Sequence, residues 1–221
     1  MTAASPALLA KARKHLFVAV VSDTLDALGW TGQALAPNVR PLDESLSFLG
    51  RARTGMYREM FHVQPGNPYE LEIKLVDDLR KGEVCVLGCS GNPRIAPWGG
   101  LLSTASRARG AAACVTDGLV RDIVAIRKMK FPVFAGGIGP LDSKGRGIVA
   151  EIDVPIEVAG VRVEPGDLVF GDADGVVVIP KAIEVKVLQA ALEKVLGEHK
   201  TLSALKKGEK LATVFARYGV L

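Results

Sequence analysis

Between residues 84 and 135 the chain alternates short apolar runs with segments of helix length, and that alternation restricts the fold more than any other feature. Residues 84–87 form an apolar run of strand length, 113–115 a second and 132–135 a third. Residues 99–109, stopped by Gly110, and 122–130 have the length and texture of helices. Strand, helix, strand, helix, strand at this spacing predicts parallel pairing through right-handed crossovers.

The flanking regions read differently. Ser5 and Pro6 look like an N-cap followed by proline at the first helical position, opening a helix to about His15. Ser22 and Asp23 suggest a second cap, with a short helix ending at Gly29. Residues 30–48 show no periodicity and predict a long connection; 50–57 can be a strand. Asn67 and Pro68 then open a helix whose Leu71, Leu75 and Leu79 repeat every four residues, and Gly82 ends it. After Gly145 come short β-rich pieces at 148–154, 156–158, 161–163, 168–170 and 176–179, joined by turn pairs such as Ala159-Gly160 and Pro165-Gly166. Two closing helices are predicted to begin near Lys181 and Thr201. With no repeat and no convincing linker, residues 1–221 are expected to form a single α/β domain.

Composition narrows the function. The net charge is +4, but much of the excess sits near the two ends, in Lys11, Arg13, Lys14, Lys200, Lys206, Lys207 and Lys210. Aromatic residues make up 5%, too few for a stacking platform, so neither nucleic acid nor membrane is an expected partner. A basic balance suits an anionic small molecule. Cys85, Cys89 and Cys114 are an odd number, in or beside apolar runs, as expected of reduced thiols in the cytoplasm. Residues 17–21 are apolar but too short to span a bilayer.

The richest stretch is 117–122, Asp-Gly-Leu-Val-Arg-Asp. It reads as a strand ending in a glycine turn, after which Arg121 and Asp122 start a helix. Loops at the carboxyl ends of parallel strands are where α/β proteins bind ligands. Arg121 offers a planar fork for a carboxylate or an enolate oxygen. Asp122 is a hard oxygen ligand for Mg²⁺ or Mn²⁺. The plainer alternative makes Asp122 a complement to the helix dipole and Arg121 half of a surface ion pair.

Residues 97–102, Pro-Trp-Gly-Gly-Leu-Leu, place Gly99 and Gly100 before a helix, where backbone amides can approach an anion closely. Residues 136–139 lack the spacing of a dinucleotide fingerprint and read as a loop. The aspartates of 163–180 fit structural turns better than an EF-hand, whose spacing and closing glutamate are absent. His15, His62 and His199 are too scattered to suggest a site.

Together and in this order, these pieces resemble the RraA-like family. The resemblance runs from 21–29 through Arg107-Ala108-Arg109-Gly110 and 117–122 to Pro165-Gly166-Asp167 and 172–180. It implies a swivelling β/β/α-type domain with a central mixed sheet and flanking helices, assembled as a homotrimer or homohexamer with sites between subunits. The family includes aldolases for 4-hydroxy-4-methyl-2-oxoglutarate or 4-carboxy-4-hydroxy-2-oxoadipate, oxaloacetate decarboxylases, and a regulator that binds a ribonuclease. By resemblance, Arg121 would hold the pyruvyl oxygens, Asp122 the divalent metal, and the backbone of Gly99, Gly100, Leu101 and Leu102 the substrate carboxylate. A glutamate from a neighbouring subunit would match Glu198, with Glu193 as the alternative.

One position departs from the pattern. The aldolases place an acidic residue twenty intervening positions before Arg-Asp, and here that position is Gly100. Loss of an outer-shell carboxylate typically weakens metal affinity or activity by about 10–100-fold. The expected function is a Mg²⁺- or Mn²⁺-dependent lyase that cleaves or decarboxylates a small 2-oxo acid through a pyruvate enolate, its base unassigned among the residues and a metal-bound water the candidate. The alternatives are a non-catalytic regulatory or binding protein and an enzyme with an altered substrate.

Overall fold

The computed structural model describes residues 3–219; the side chain of His199 lies outside the described residues. In chain order the helices are α1 (Pro6–His15), α2 (Val18–Ala27), α3 (Glu70–Asp77), α4 (Gly100–Ala108), α5 (Ile123–Met129), α6 (Glu184–Lys206) and α7 (Leu211–Tyr218). The strands are β1 (Arg40–Pro41), β2 (Phe48–Glu59), β3 (Glu83–Gly88), β4 (Ala113–Val120), β5 (Val133–Ile138), β6 (Gly147–Ile152), β7 (Ile156–Val158), β8 (Val161–Val163), β9 (Leu168–Asp172) and β10 (Gly175–Ile179). Among the described residues no helix is long and apolar enough to cross a membrane.

The predicted parallel core is present, β3, β4 and β5 pairing in parallel through the crossovers α4 and α5, and β2 joins it in parallel through α3. Antiparallel strands complete a mixed sheet of eight, in the order β1-β5-β4-β3-β2-β9-β10, with β6 on the far half of β2. Residues 30–48, expected only to connect, nearly close this sheet. The Leu35 amide donates to the Val176 carbonyl on β10, while Arg40 and Pro41 pair with β5. The Arg40 guanidinium then donates to the carbonyls of Ala173 and Asp174, each at 2.9 Å.

Period-two alternation sorts the side chains into separate cores. Val84 and Val86 of β3, Ala113 and Val115 of β4, and Val176 and Val178 of β10 face one buried cluster beneath the β7–β8 hairpin. Cys85, Leu87 and Cys114 face the opposite way, against α3, α4 and α5. Leu168, Phe170, Val177 and Ile179 pack on α1, α2 and α6. All three cysteines are buried free thiols, as their apolar neighbours suggested.

Several boundaries differ from the sequence reading, among them the end of α3 at Asp77, short of Gly82, and four of the differences have a clear physical reason. Helix α2 starts at Val18, not at Ser22, because the Asp172 carboxylate accepts from the Val18 amide at 2.8 Å and supplies the cap from a distant strand. Strand β4 runs on to Val120, so Asp117 and Gly118 lie within it; the buried Asp117 carboxylate accepts from the amides of Cys89 and Gly91. Gly136 and Gly137 belong to β5 and not to a loop: Gly137 pairs with Leu119 of β4, and the strands approach so closely that a Cβ on Gly136 would sit 2.4 Å from the Asp117 carbonyl oxygen. Thr201 lies inside α6, which continues to Lys206 before the chain turns at Gly208 (φ +84°).

Candidate active site

The carboxyl end of β4 and the segment leading into α4 are stitched together by backbone hydrogen bonds. Leu119 donates to the Ile95 carbonyl at 2.9 Å and Arg121 to the Trp98 carbonyl at 3.1 Å. Trp98 is fully buried, with its indole N–H donating to Ser103 Oγ at 2.8 Å, so the chain before Gly99 is fixed by its largest side chain. Gly99 and Gly100 are thereby held beside Arg121 and Asp122. A Cβ on Gly99 would lie 2.9 Å from Asp122 Oδ2 and 3.1 Å from Arg121 Cγ, so a larger residue there would push these two side chains from their present positions.

Asp122 adopts the left-handed conformation (φ 60°, ψ 30°), one that aspartate tolerates better than most residues. Its carboxylate caps no amide of α5. Instead, Oδ2 accepts from the Gly100 amide at 3.0 Å. Asp122 therefore makes no capping hydrogen bond to α5, although it stands at that helix's N-cap position.

Arg121 and Asp122 share a cleft of about 290 Å³ with Gly99, Gly100, Leu101 and Leu102, closed on other sides by Tyr69, Glu72, Asp142 and Ser143. That volume suits a small acid. The Arg121 guanidinium stands 3.6 Å from Asp142 Oδ1, and the Tyr69 hydroxyl donates to Asp142 Oδ2 at 2.7 Å. Burial alone would raise the Asp142 pKa, but the Tyr69 hydrogen bond and the Arg121 charge outweigh it and hold the carboxyl below its usual range. Tyr69 is pushed up to about 12 by burial and by the carboxylate it binds.

Glu72 behaves in the opposite way. It projects from the first turn of α3 and is 7% exposed, with the buried Tyr57 hydroxyl donating to its Oε1. Burial raises its pKa to about 7; the Tyr57 hydrogen bond and Arg121 pull it down, and Asp142 pushes it up. The cleft thus holds the Arg121 guanidinium, the carboxyl groups of Asp122 and Asp142, and at Glu72 a carboxyl whose pKa burial raises to about 7.

Of the residues singled out in the sequence, Gly99, Gly100, Leu101, Leu102, Arg121 and Asp122 come together in this cleft. Glu198 and Glu193 do not: both lie on α6, and Glu193 lines a separate hollow with Leu8, Lys11 and His15 of α1. Glu72, Tyr69, Asp142 and Ser143 were missed. For Glu72 a signal existed: it precedes Leu75 and Val76 by three and four positions, which places it on the buried face of α3. Asp142 and Ser143 lie on a loop with no periodicity to betray them.

Among the described residues no three His, Cys, Asp or Glu side chains converge as a metal cage. The donor chemistry in the cleft nonetheless fits a hard, hydrated ion. Mg²⁺ keeps several waters and takes one or two carboxylates plus substrate oxygens, and Asp122 is an exposed carboxylate beside the cleft's guanidinium.

Comparison with known proteins agrees with this architecture. Residues 18–178 match the sequence model of a family described as RraA-like, aldolase/RraA. A protein of Halalkalibacterium halodurans, provisionally named a 4-hydroxy-4-methyl-2-oxoglutarate aldolase, is 38% identical over 79% of this chain and 77% of its own. The crystal structure of an uncharacterized protein from Pseudomonas syringae superposes with a TM-score of 0.85 at 26% identity, covering 97% of this chain and 99% of the other. Streptomyces coelicolor RraAS2, described as an unusual member of the RNase ES inhibitor RraA protein family, shares the fold with a TM-score of 0.78 at 24% identity, over 92% of this chain and 98% of the other.

Proposed function

This chain belongs to the RraA-like family, and we propose that within it the protein is a divalent-metal-dependent carbon–carbon lyase acting on a small 2-oxo acid. The aldolase name of a relative that covers most of the chain supports a lyase at family level. The observation that carries the reading is the shared cleft, in which a guanidinium, an exposed carboxylate and the first turn of α4 converge.

The substrate class is a 4-hydroxy-2-oxo acid, or oxaloacetate, which passes through the same enolate on losing CO₂. The first amides of a helix have no intrahelical partner, so those of Leu101 and Leu102 receive the substrate's carboxylate. Arg121 holds the adjacent oxygens and stabilises the negative charge that develops on the enolate oxygen as the C3–C4 bond breaks and its electron pair moves into the 2-oxo group. Stabilising charge where it develops is usually the largest contribution to such catalysis. Asp122 would hold Mg²⁺ or Mn²⁺, which when bound supplies Lewis-acid polarisation of the 2-oxo group. Asp142 keeps the Arg121 fork oriented from the side.

A homotrimer or homohexamer fits the same reading, with Glu198 or Glu193 of another copy approaching the cleft. Two apolar side chains near it support a subunit contact there: Leu101 is 86% exposed and Val124 78%.

Pyruvate release from oxaloacetate and from 4-hydroxy-4-methyl-2-oxoglutarate, with and without Mg²⁺, tests the proposal. Turnover is expected to need the metal, and Arg121→Ala is expected to lower kcat by about 10²–10³-fold. No pyruvate from either acid, together with no Mg²⁺ or Mn²⁺ binding by calorimetry, would favour the regulatory role instead.

A further inference from the structure

A retro-aldol cleavage must remove the proton of the C4 hydroxyl and deliver one to C3 of the enolate, and neither Arg121 nor Asp122 is suited to that work. Arginine stays protonated throughout the accessible pH range. Asp122 accepts from Gly100 and is the candidate metal ligand. Asp142 is committed to Tyr69 and lies beside Arg121, which makes it a weak base. Tyr69 spends its own proton on Asp142. Among the described residues no histidine lines the cleft. Glu72 remains.

We propose that Glu72 is the proton carrier of the reaction, its carboxylate taking the C4 hydroxyl proton and the resulting acid returning it to C3 of the enolate. The step balances without a co-reactant. The O–H electron pair becomes the second bond of the new carbonyl, the C3–C4 pair becomes the enolate, and the borrowed proton ends on the methyl group of pyruvate. This inference rests on the lyase reading and adds the identity of its acid–base group.

Three features of the site support the role. Glu72 is nearly buried yet lines the cleft, so its carboxyl meets bound substrate with little competing water. The Tyr57 hydroxyl, from the neighbouring strand β2, fixes one oxygen and so sets the direction of the other. The groups that face Glu72 are Tyr57 from β2, Arg121 from the β4–α5 junction, Asp142 from the loop after β5, Tyr69 from the approach to α3, and Cys89 after β3. Their balance leaves the carboxyl about equally able to accept and to donate near neutral pH, the condition under which general acid–base catalysis is most effective.

The test compares the wild type with Glu72→Gln and Tyr57→Phe in two assays. One is cleavage of 4-hydroxy-4-methyl-2-oxoglutarate across pH. The other is exchange of the pyruvate methyl protons for deuterium in Mg²⁺-containing D₂O, followed by proton NMR. Glu72→Gln is expected to slow cleavage and exchange by about 10²-fold or more, with KM little changed and the acidic limb of the wild-type kcat/KM profile abolished. Oxalate binding with Mg²⁺, read by calorimetry, is expected to persist in the variant and so reports an intact cleft. Wild-type rates in Glu72→Gln, or a retained acidic limb, would overturn the role. Should that variant not fold, Tyr57→Phe decides: losing a hydrogen bond that favours the ionised form moves the acidic limb to higher pH, and an unmoved limb overturns the assignment. A wild type silent in both assays overturns the lyase reading and the Glu72 role together, a failure told apart by its presence in the unsubstituted protein.

Discussion

The Gly100 amide donates to the Asp122 carboxylate across 3.0 Å, and a Cβ built on Gly100 would lie 3.4 Å from that same oxygen and 3.3 Å from Asp122 Cβ. Where the aldolase pattern has an acid, this chain uses its backbone. A carboxylate introduced at position 100 would stand directly beside that of Asp122, and two like charges at this range repel unless a cation lies between them. Gly100→Asp is therefore expected to raise Mg²⁺ or Mn²⁺ affinity by about 10–100-fold. It is also expected to lower the melting temperature in chelator and restore it with metal. Titration calorimetry and thermal melts check both, and an unchanged affinity would count against the placement of the ion.

The poised carboxyl at Glu72 has a signature in stability as well as in rate. Its folded-state pKa, raised from 4.5 to about 7, means that between those values the folded protein binds a proton the unfolded chain has released. Its contribution to stability is fully present below about 4.5 and is lost as pH rises through about 7. Glu72→Gln, which cannot ionise, is expected to gain on the wild type over that window and to be more stable by about 3 kcal/mol at pH 8. Urea unfolding at pH 4.5 and pH 8 measures the difference.

Glu184 provides the opposite case. Its side chain is fully buried and bound by the Arg51 guanidinium at 2.9 Å through both oxygens, with the Ala4 amide donating as well. Burial would raise its pKa, but these bonds more than offset that and hold it below 4.5. The stabilisation is present above the ordinary carboxylate range and is lost as pH falls through the depressed folded-state value. Glu184→Ala leaves Arg51 without its charge partner and is expected to cost about 3 kcal/mol at pH 7. The gap to the wild type should narrow in acid, as followed by circular dichroism during urea titration.

The legible part of this protein is the part governed by local rules. The three parallel strands from 84 to 135 announce themselves through apolar runs and glycine stops, and Ser5-Pro6 through its capping chemistry. Gly99, Gly100 and Arg121 stand out because residues of those types at strand and helix ends are what anion sites are made of, and Asp122 because a carboxylate beside them is a hard ligand for a divalent cation. What escaped is set by distant contacts. The start of α2 depends on Asp172, far along the chain, and the strand character of Gly136 and Gly137 depends on pairing with the adjacent strand β4. Glu72 was hidden by the leucine stripe: Leu71, Leu75 and Leu79 suggest one face, while the buried face is turned toward Glu72, Leu75 and Val76.

Strand β2 is the longest in the sheet at twelve residues, and it serves different neighbours along its length: Phe48–Arg51 pair with β9, and Gly55–Glu59 with β6. Tyr57, which orients Glu72, sits on its distal half, whereas Arg51, the partner of Glu184, sits on the proximal half. One backbone ribbon therefore acts as a common keel, binding the anchorage of the terminal helices and the alignment of the proton-bearing group into a single cooperative unit. Loosening at either extremity would be felt at the other as lost register, so amide exchange along this ribbon should respond as one block.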